Sequence, residues 1–129
     1  MVKPSDDNEE KVISEQGGGS ITVEFMGNVT VNTTKNIAGL NYTNPNSSNQ
    51  DVVLELYIVQ GGQEYFLGRS GRVPAGSSLY QISVKDREVE LRGGGLYSGK
   101  VYFHAYDPVT GAKAHVVSDI SNIDVFVQQ

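Results

Sequence analysis

Asn44–Gln50, with the sequence NPNSSNQ, runs directly into Asp51–Val59, with the sequence DVVLELYIV. The first segment consists of turn-forming residues and contains no apolar side chain. The second alternates in polarity and is rich in β-branched residues, which predicts a β-strand entered from a fixed loop. Because apolar residues fall on both faces of this strand, we expect it to lie in the centre of its sheet.

Period-two patterns continue along the rest of the chain, and no segment has a convincing helical pattern. Apolar residues alternate in Leu79–Val84, where we expect Tyr80, Ile82 and Val84 to share a face, and a short strand is expected at Val89–Leu91. Short strands separated by turn signals are typical of an all-β fold. We therefore predict an immunoglobulin- or fibronectin III-like Greek-key β-sandwich of about seven to nine strands.

The chain divides into two parts by composition. Residues 1–19 are acidic and end in three glycines, which predicts a flexible tether. Residues 20–129 are expected to form a single β-sandwich domain, since about 110 residues suffice to bury one core. The opening Met1–Asp7 reads as an expression start placed after a removed leader or anchor.

Charge and composition exclude several function classes. The net charge is −5, which argues against nucleic acid as a partner because phosphate binding needs a basic surface. The chain has no cysteine, so it has no disulfide, thiolate metal site or cysteine nucleophile. It also lacks an apolar run long enough to span a bilayer, so any membrane attachment would require an anchor outside this sequence. No cofactor motif is recognised.

The turn Asp107–Gly111, with the sequence DPVTG, predicts a tight hairpin. If Asp107 pairs with Ala112, Tyr106 faces Lys113 and His104 faces His115. Directly opposite residues have Cβ atoms about 5 Å apart, so the two histidines can share a metal ion or repel each other when protonated. Two ligands make an incomplete zinc site, so a solvated polar sheet face is the favoured interpretation.

No arrangement of residues in the sequence points to catalysis. No glycine-flanked nucleophile turn or suitably spaced carboxylate pair is present, and we expect the protein not to be an enzyme. The remaining lead is tyrosine, because strand tyrosines can cover a sheet face as an interaction surface. The candidates on the hairpin face are Tyr102, Tyr106 and Lys113, and the wider set adds Tyr57, Tyr65, Tyr80 and Tyr97.

Several turns carry a resemblance to a known group of proteins. They are the glycine-rich joint at 17–19, the stretch Asn44–Leu54, the turn Pro74–Gly76 and the hairpin Tyr106–Ala114. With these elements, residues 17–127 resemble small envelope-associated domains of Gram-positive, clostridia-like bacteria. The resemblance implies an N-terminal anchor and acidic linker, followed by one immunoglobulin-like domain outside the cell. It implies no catalytic residues.

Three functional hypotheses follow. The first is a non-catalytic extracytoplasmic module, displayed on the cell envelope, that binds a protein or glycan partner or acts in adhesion. The second is a structural spacer or pilus-like assembly subunit, which would leave a sheet edge open for a donated strand. The third is a metal- or pH-responsive module that uses His104 and His115.

Overall fold

The computed structural model describes residues 8–15, 19–26, 28–46, 49–113 and 118–128, with backbone only for 8–26 and 118. Throughout these ranges the regular structure is β-strand, so the all-β class expected from the sequence is confirmed. The strands are β1 (Asn8–Glu15), β2 (Gly19–Met26), β3 (Asn28–Asn32), β4 (Ile37–Thr43), β5 (Asp51–Gln60), β6 (Gln63–Arg69), β7 (Ser78–Ser83), β8 (Leu96–Tyr106) and β9 (Ser118–Gln128).

The described strands form one mixed sheet that curls into a half-barrel. Their order is β1-β2-β4-β3-β9-β8-β5-β6, and β7 pairs with β4 beside this path. The sheet is continuous because β3 pairs antiparallel with β4 on one side and parallel with β9 on the other. The connectivity therefore shows a curled sheet, whereas the sequence predicted two separate sheets of a sandwich.

Strand β5 is an interior strand and not an edge, as its sequence predicted, and it lies next to the edge strand β6. It pairs antiparallel with β6 on one side and with β8 on the other. Its even-numbered residues point into the core, and Leu54 and Ile58 are fully buried. They pack with residues from β3, β4, β8 and β9, so the core lies inside the curl of the sheet. In this core the rings of Tyr42 and Phe103 lie 5.6 Å apart.

The hairpin after β8 forms as the turn residues predicted. The amide of Asp107 donates to the carbonyl of Ala112, and the Asp107 carboxylate accepts from the amides of Val109 and Thr110. Gly111 has a φ of 77°, the left-handed conformation that glycine adopts without strain. Tyr106 pairs with Lys113, which confirms that part of the predicted register.

Two local expectations are wrong. Val89 and Leu91 belong to an irregular segment, although both pack partly against the core. Tyr80 does not share a buried face with Ile82 and Val84, because 64% of its surface is exposed. The cause is an irregularity in the β4–β7 ladder between Gly39 and Tyr42, which changes the alternation at this point.

Strand β1 lies within the range assigned to the tether. Its backbone pairs antiparallel with β2 along its whole length. Asn8 is opposite Met26 at one end, and Glu15 is opposite Gly19 at the other. Strand β2 in turn pairs with the end of β4 at Tyr42 and Thr43. The division of the chain into a tether and a domain stays a prediction.

The loop before β5 is held by the buried side chain of Asn44. Its amide nitrogen donates to the carbonyls of Gln50 and Val73, at 2.9 and 2.8 Å. Its backbone accepts from Gly76 and donates to Ser77, which ties the loop to the turn before β7. Asn44 therefore joins two loops, and its bond to Val73 spans 29 residues of the chain.

We expect Asn44→Ala to lower the free energy of unfolding by about 1–3 kcal/mol, because its two buried hydrogen bonds to the carbonyls of Gln50 and Val73 are lost. Urea unfolding at neutral pH measures this change. The matched control is Asn41→Ala at an exposed position of β4, which is expected to cost less than about 0.5 kcal/mol. Equal costs for the two variants would contradict the role assigned to Asn44.

Gly68 allows β6 to approach the end of β7 closely. A Cβ atom at this position would lie 2.4 Å from the carbonyl oxygen of Ser83, and that backbone has little room to move. We expect Gly68→Ala to cost about 1–3 kcal/mol of unfolding free energy. Gly71→Ala is the control, since nothing lies within 4 Å of its added carbon and its φ is ordinary. Thermal unfolding of both variants provides the comparison.

Candidate binding face

The convex side of β6, β5 and β8 carries polar and aromatic side chains in place of the apolar residues that face the core. We call this surface the polar face. Strand alternation places odd-numbered residues of β5 and even-numbered residues of β8 on it. Its members are Glu64, Phe66 and Arg69 from β6, Asp51, Val53, Glu55 and Tyr57 from β5, and Lys100, Tyr102, His104 and Tyr106 from β8.

Glu55 lies in the middle of the polar face and is buried, with 8% of its surface exposed. Arg69, its cross-strand neighbour on β6, donates from Nε at 2.8 Å and also from Nη2 to the Glu55 Oε2 atom. The Nε2 atom of His104 lies 2.8 Å from Oε1. Tyr57 also directs its hydroxyl at Oε1, at 3.4 Å. Both oxygens of the carboxylate are therefore engaged within the protein.

The environment of Glu55 favours its charged form. Burial alone would raise the pKa of this carboxyl, but the hydrogen bonds from His104 and Arg69 outweigh it and hold the pKa below its ordinary value. The same carboxylate raises the pKa of Arg69, which stays protonated. For Tyr57, burial first and then the nearby Glu55 charge raise the pKa of the phenol.

A second polar cluster lies beside the first. The Tyr102 hydroxyl donates to the carboxylate of Glu64, 2.7 Å from Oε1 and 2.9 Å from Oε2. Lys100 Nζ lies 3.2 Å from Glu64 Oε2 and 3.7 Å from Asp119 Oδ2. Hydrogen bonding from Tyr102 and from Lys100 lowers the pKa of Glu64, and hydrogen bonding to Tyr102 and Glu64 raises the pKa of Lys100.

The aromatic rings of the polar face pack against one another. The Tyr57 ring meets the Tyr102 ring edge to face at a centroid distance of 5.3 Å, and the Phe66 ring in the same way at 5.9 Å. Lys100 Nζ lies 4.9 Å from the centroid of the Tyr102 ring. Edge-to-face contact is a preferred geometry of aromatic pairs. These rings therefore contribute to a fixed layer over β5.

The end of the face nearest the hairpin has a different character. The guanidinium of Arg72 lies over the ring of Tyr106, 4.6 Å from its centroid, and 3.8 Å from the Asp51 carboxylate. Lys113 is exposed and directly opposite Tyr106. Antiparallel partners share a face, so Lys113 extends the polar face beyond β8.

The structure brings the three predicted interaction residues together, since Tyr102, Tyr106 and Lys113 lie on one continuous surface. His104 belongs to the same surface, between Tyr102 and Tyr106 on β8. His115 lies outside the described residues, so its predicted pairing with His104 stays a prediction. In the described part of the chain no group of three metal-binding side chains occurs.

Of the wider set of tyrosines, Tyr57 joins this surface, whereas Tyr65, Tyr80 and Tyr97 do not. Tyr97 packs partly against the core and accepts a hydrogen bond from the amide of Arg92. Tyr65 donates to Gln63 on its own strand, and Tyr80 is exposed on β7. Near Tyr97, the segment Glu90–Tyr97 borders an open cleft of about 600 Å³. This cleft collects no cluster of titratable groups from other elements.

Glu55, Arg69 and Arg72 were missed by the sequence reasoning. One signal was available: Glu55 is the single charged residue within the apolar run Val52–Val59, and a carboxylate there needs a cation. Its partner was hidden because the β5–β6 ladder shifts register between Leu56 and Tyr57. Counting from the Gly61-Gly62 turn alone gives the wrong partner beyond that point.

Among the described residues there is no helix of the length and hydropathy that a membrane span requires. Comparison of this chain with protein-family models, with curated proteins and with solved structures finds no match.

Stability at low pH is expected to depend on Glu55. Because the folded-state pKa of Glu55 is lowered, its stabilising effect is present above the ordinary value of 4.5 and is lost as pH falls through the folded pKa. We expect Glu55→Gln to cost about 1–3 kcal/mol at pH 7 and to weaken the decline in stability below pH 4.5.

Urea unfolding measured from pH 7 down to acid conditions tests this expectation. Glu90→Gln is the control, since Glu90 is exposed and should leave the acid decline unchanged. An acid decline of the same steepness in Glu55→Gln and the wild type would show that Glu55 does not link protonation to folding.

Proposed function

We propose that this protein is a non-catalytic binding module and that the polar face is its recognition surface. The observation that carries the proposal is the fixed layer of charged and aromatic side chains over β5. Protein–protein interfaces are enriched in tyrosine and arginine. The layer stands on long paired strands, so its side chains lose little further freedom when a partner binds.

The contacts of Glu55 support a non-catalytic role. A general acid or base needs a proton position that can reach a substrate, often with a pKa near the working pH. The oxygens of Glu55 are engaged by Arg69, His104 and Tyr57, and its pKa is shifted away from neutrality. Its contacts are those of a carboxylate that holds three neighbours in place.

We further infer that the half-barrel is a variant of the immunoglobulin-like Greek key. The pairings β3–β4 and β4–β7 correspond to strands A, B and E of that fold, and β9–β8–β5–β6 corresponds to G, F, C and C′. The core lies between these two sets of strands. Residues 70–77, between β6 and β7, occupy the chain position of strand D and form no regular strand.

The proposed location is outside the cytoplasmic membrane, on the cell envelope. This part of the proposal rests on the resemblance of residues 17–127 to envelope-associated domains and on the acidic N-terminal segment. The partner would be a protein or glycan at the cell surface. Arg69 and Lys113 on the polar face are exposed and can contact such a partner.

The geometry favours this proposal over assembly by strand donation at the β6 edge. A donated strand needs unpaired amides and carbonyls along an edge. The carbonyl of Phe66 in β6 accepts from the amide of Glu88, and Gly68 lies against the end of β7. A strand added to β6 would have to displace Glu88 and the end of β7 from this edge.

We expect Tyr106→Ser to reduce partner capture at least about fivefold, because truncating an interface tyrosine commonly costs more than about 1 kcal/mol of binding free energy. The full chain is immobilised and exposed to an envelope extract of the source cells, and captured components are quantified by mass spectrometry. Tyr80→Ser removes a more exposed tyrosine from a different strand and is expected to capture as the wild type does.

The result is interpreted only for variants whose thermal unfolding resembles that of the wild type. Capture that falls equally in both variants, or that survives Tyr106→Ser, would contradict the assignment of the polar face. A wild-type protein that captures nothing would favour the spacer hypothesis.

A further inference from the structure

We propose that Arg69, Arg72 and Lys113 bind carboxylate groups of an acidic peptide held in an extended conformation. These three residues, which we call the cationic corner, extend from the middle of the polar face to its hairpin end. The inference rests on the proposed binding function and adds the chemistry of the partner.

The corner exposes cations and covers its own carboxylates. The side chains of Arg69 and Arg72 are 61% and 45% exposed, whereas their partners Glu55 and Asp51 are only 10% and 17% exposed. The carboxylates therefore lie beneath the guanidinium groups, and Lys113, paired with Tyr106, adds an exposed residue with an ammonium group. An approaching ligand meets positive groups first, although the whole chain has a net charge of −5.

Both arginines keep hydrogen-bond donors for a ligand. Arg69 uses Nε and Nη2 on one oxygen of Glu55, and within the described residues its Nη1 donates to no acceptor. Arg72 meets Asp51 at 3.8 Å, which is an ion pair without a hydrogen bond. A guanidinium carries five N–H donors in a planar fork that matches a carboxylate.

The guanidinium groups are also held in position before any ligand binds. Arg69 is fixed by two bonds to a buried carboxylate, and Arg72 lies over the Tyr106 ring. Fixing these long side chains in advance reduces the entropy that binding would otherwise cost. The arrangement is that of a preorganised anion site, whereas the side chains of a solvated row of lysines would be free to move.

The spacing of the two arginines suits an extended peptide. The guanidinium groups contact carboxylates four residues apart on β5, Arg69 at Glu55 and Arg72 at Asp51. Four residues along a strand correspond to about 14 Å, since a strand rises about 3.4 Å per residue. Glutamates at positions i and i+4 of an extended peptide have the same separation, and a glutamate at i+2 lies on the same side, so Glu-X-Glu-X-Glu is the pattern we expect to fit.

An acidic peptide is favoured over an acidic glycan by the use of the aromatic rings. Sugars bind to open ring faces, but Arg72 covers one face of Tyr106 and Lys100 lies over Tyr102. Tyr57 packs edge to face with its neighbours. The groups that the corner leaves available are charged donors, which recognise carboxylates.

The test uses three synthetic five-residue peptides and the full chain. The sequences are Glu-Thr-Glu-Thr-Glu, its clustered isomer Glu-Glu-Glu-Thr-Thr, and the neutral Gln-Thr-Gln-Thr-Gln. Binding is followed by NMR through the backbone amides of Tyr106 and Lys113. The salt concentration is about 20 mM, where the Debye length is on the order of 20 Å. We expect the alternating peptide to bind most tightly and the neutral peptide not to bind.

The variant Arg72→Gln/Lys113→Gln should weaken binding of the alternating peptide at least about fivefold, because two exposed ion pairs are lost. Its control is Lys35→Gln/Arg92→Gln, which makes the same charge change at exposed positions elsewhere and should weaken binding less than about twofold. Arg69 is left intact because its loss would leave Glu55 buried without its cation.

Equal weakening in the two double variants would overturn the proposal, because only overall charge would then matter. No binding of the alternating peptide would also overturn it, as would binding of a galacturonate trimer in its place, which would assign an acidic glycan. In any of these cases the proposed function survives if Tyr106→Ser still loses partner capture. If capture is unaffected while the peptide binds at the corner, the proposed function fails separately.

Discussion

The structure depends on the burial of β5 on both of its faces. Its inner face supplies Leu54 and Ile58 to the core, and its outer face is covered by side chains from β6 and β8. Glu55 lies on that covered face, where an unpaired carboxylate would cost several kcal/mol. Arg69 and His104 supply the partners that this carboxylate needs. Their positions determine how the remaining groups of the polar face are arranged.

Local turn chemistry was predictable, and long-range pairing was less so. The Asp107–Gly111 hairpin follows from residues that restrict their own backbone, so its register could be derived without knowledge of the rest of the fold. The interior position of β5 followed from its two apolar faces in the same way. The exposure of Tyr80 could not be derived, because it depends on a ladder irregularity opposite it in β4.

The same limit explains which members of the candidate site were missed. Tyr102, Tyr106 and Lys113 were found because one hairpin register relates them. Arg69 reaches Glu55 across a shifted ladder, and Arg72 reaches Tyr106 from an irregular segment that only the folded chain brings near. Period-two reasoning carries no information about such segments. The candidate site was less predictable than the fold because it joins elements that are distant in sequence.

The pairing of Arg69 and Arg72 with buried carboxylates has two opposite effects on the proposed binding of an anion. Glu55 and Asp51 reduce the attraction that Arg69 and Arg72 exert on a distant anion, so electrostatic steering from afar is weak. The same carboxylates hold the guanidinium groups in place and leave their remaining donors directed outward. Such a surface gains little from charge alone and more from the match between donor geometry and ligand. It should therefore discriminate among anions by the spacing of their carboxylates more than by their total charge.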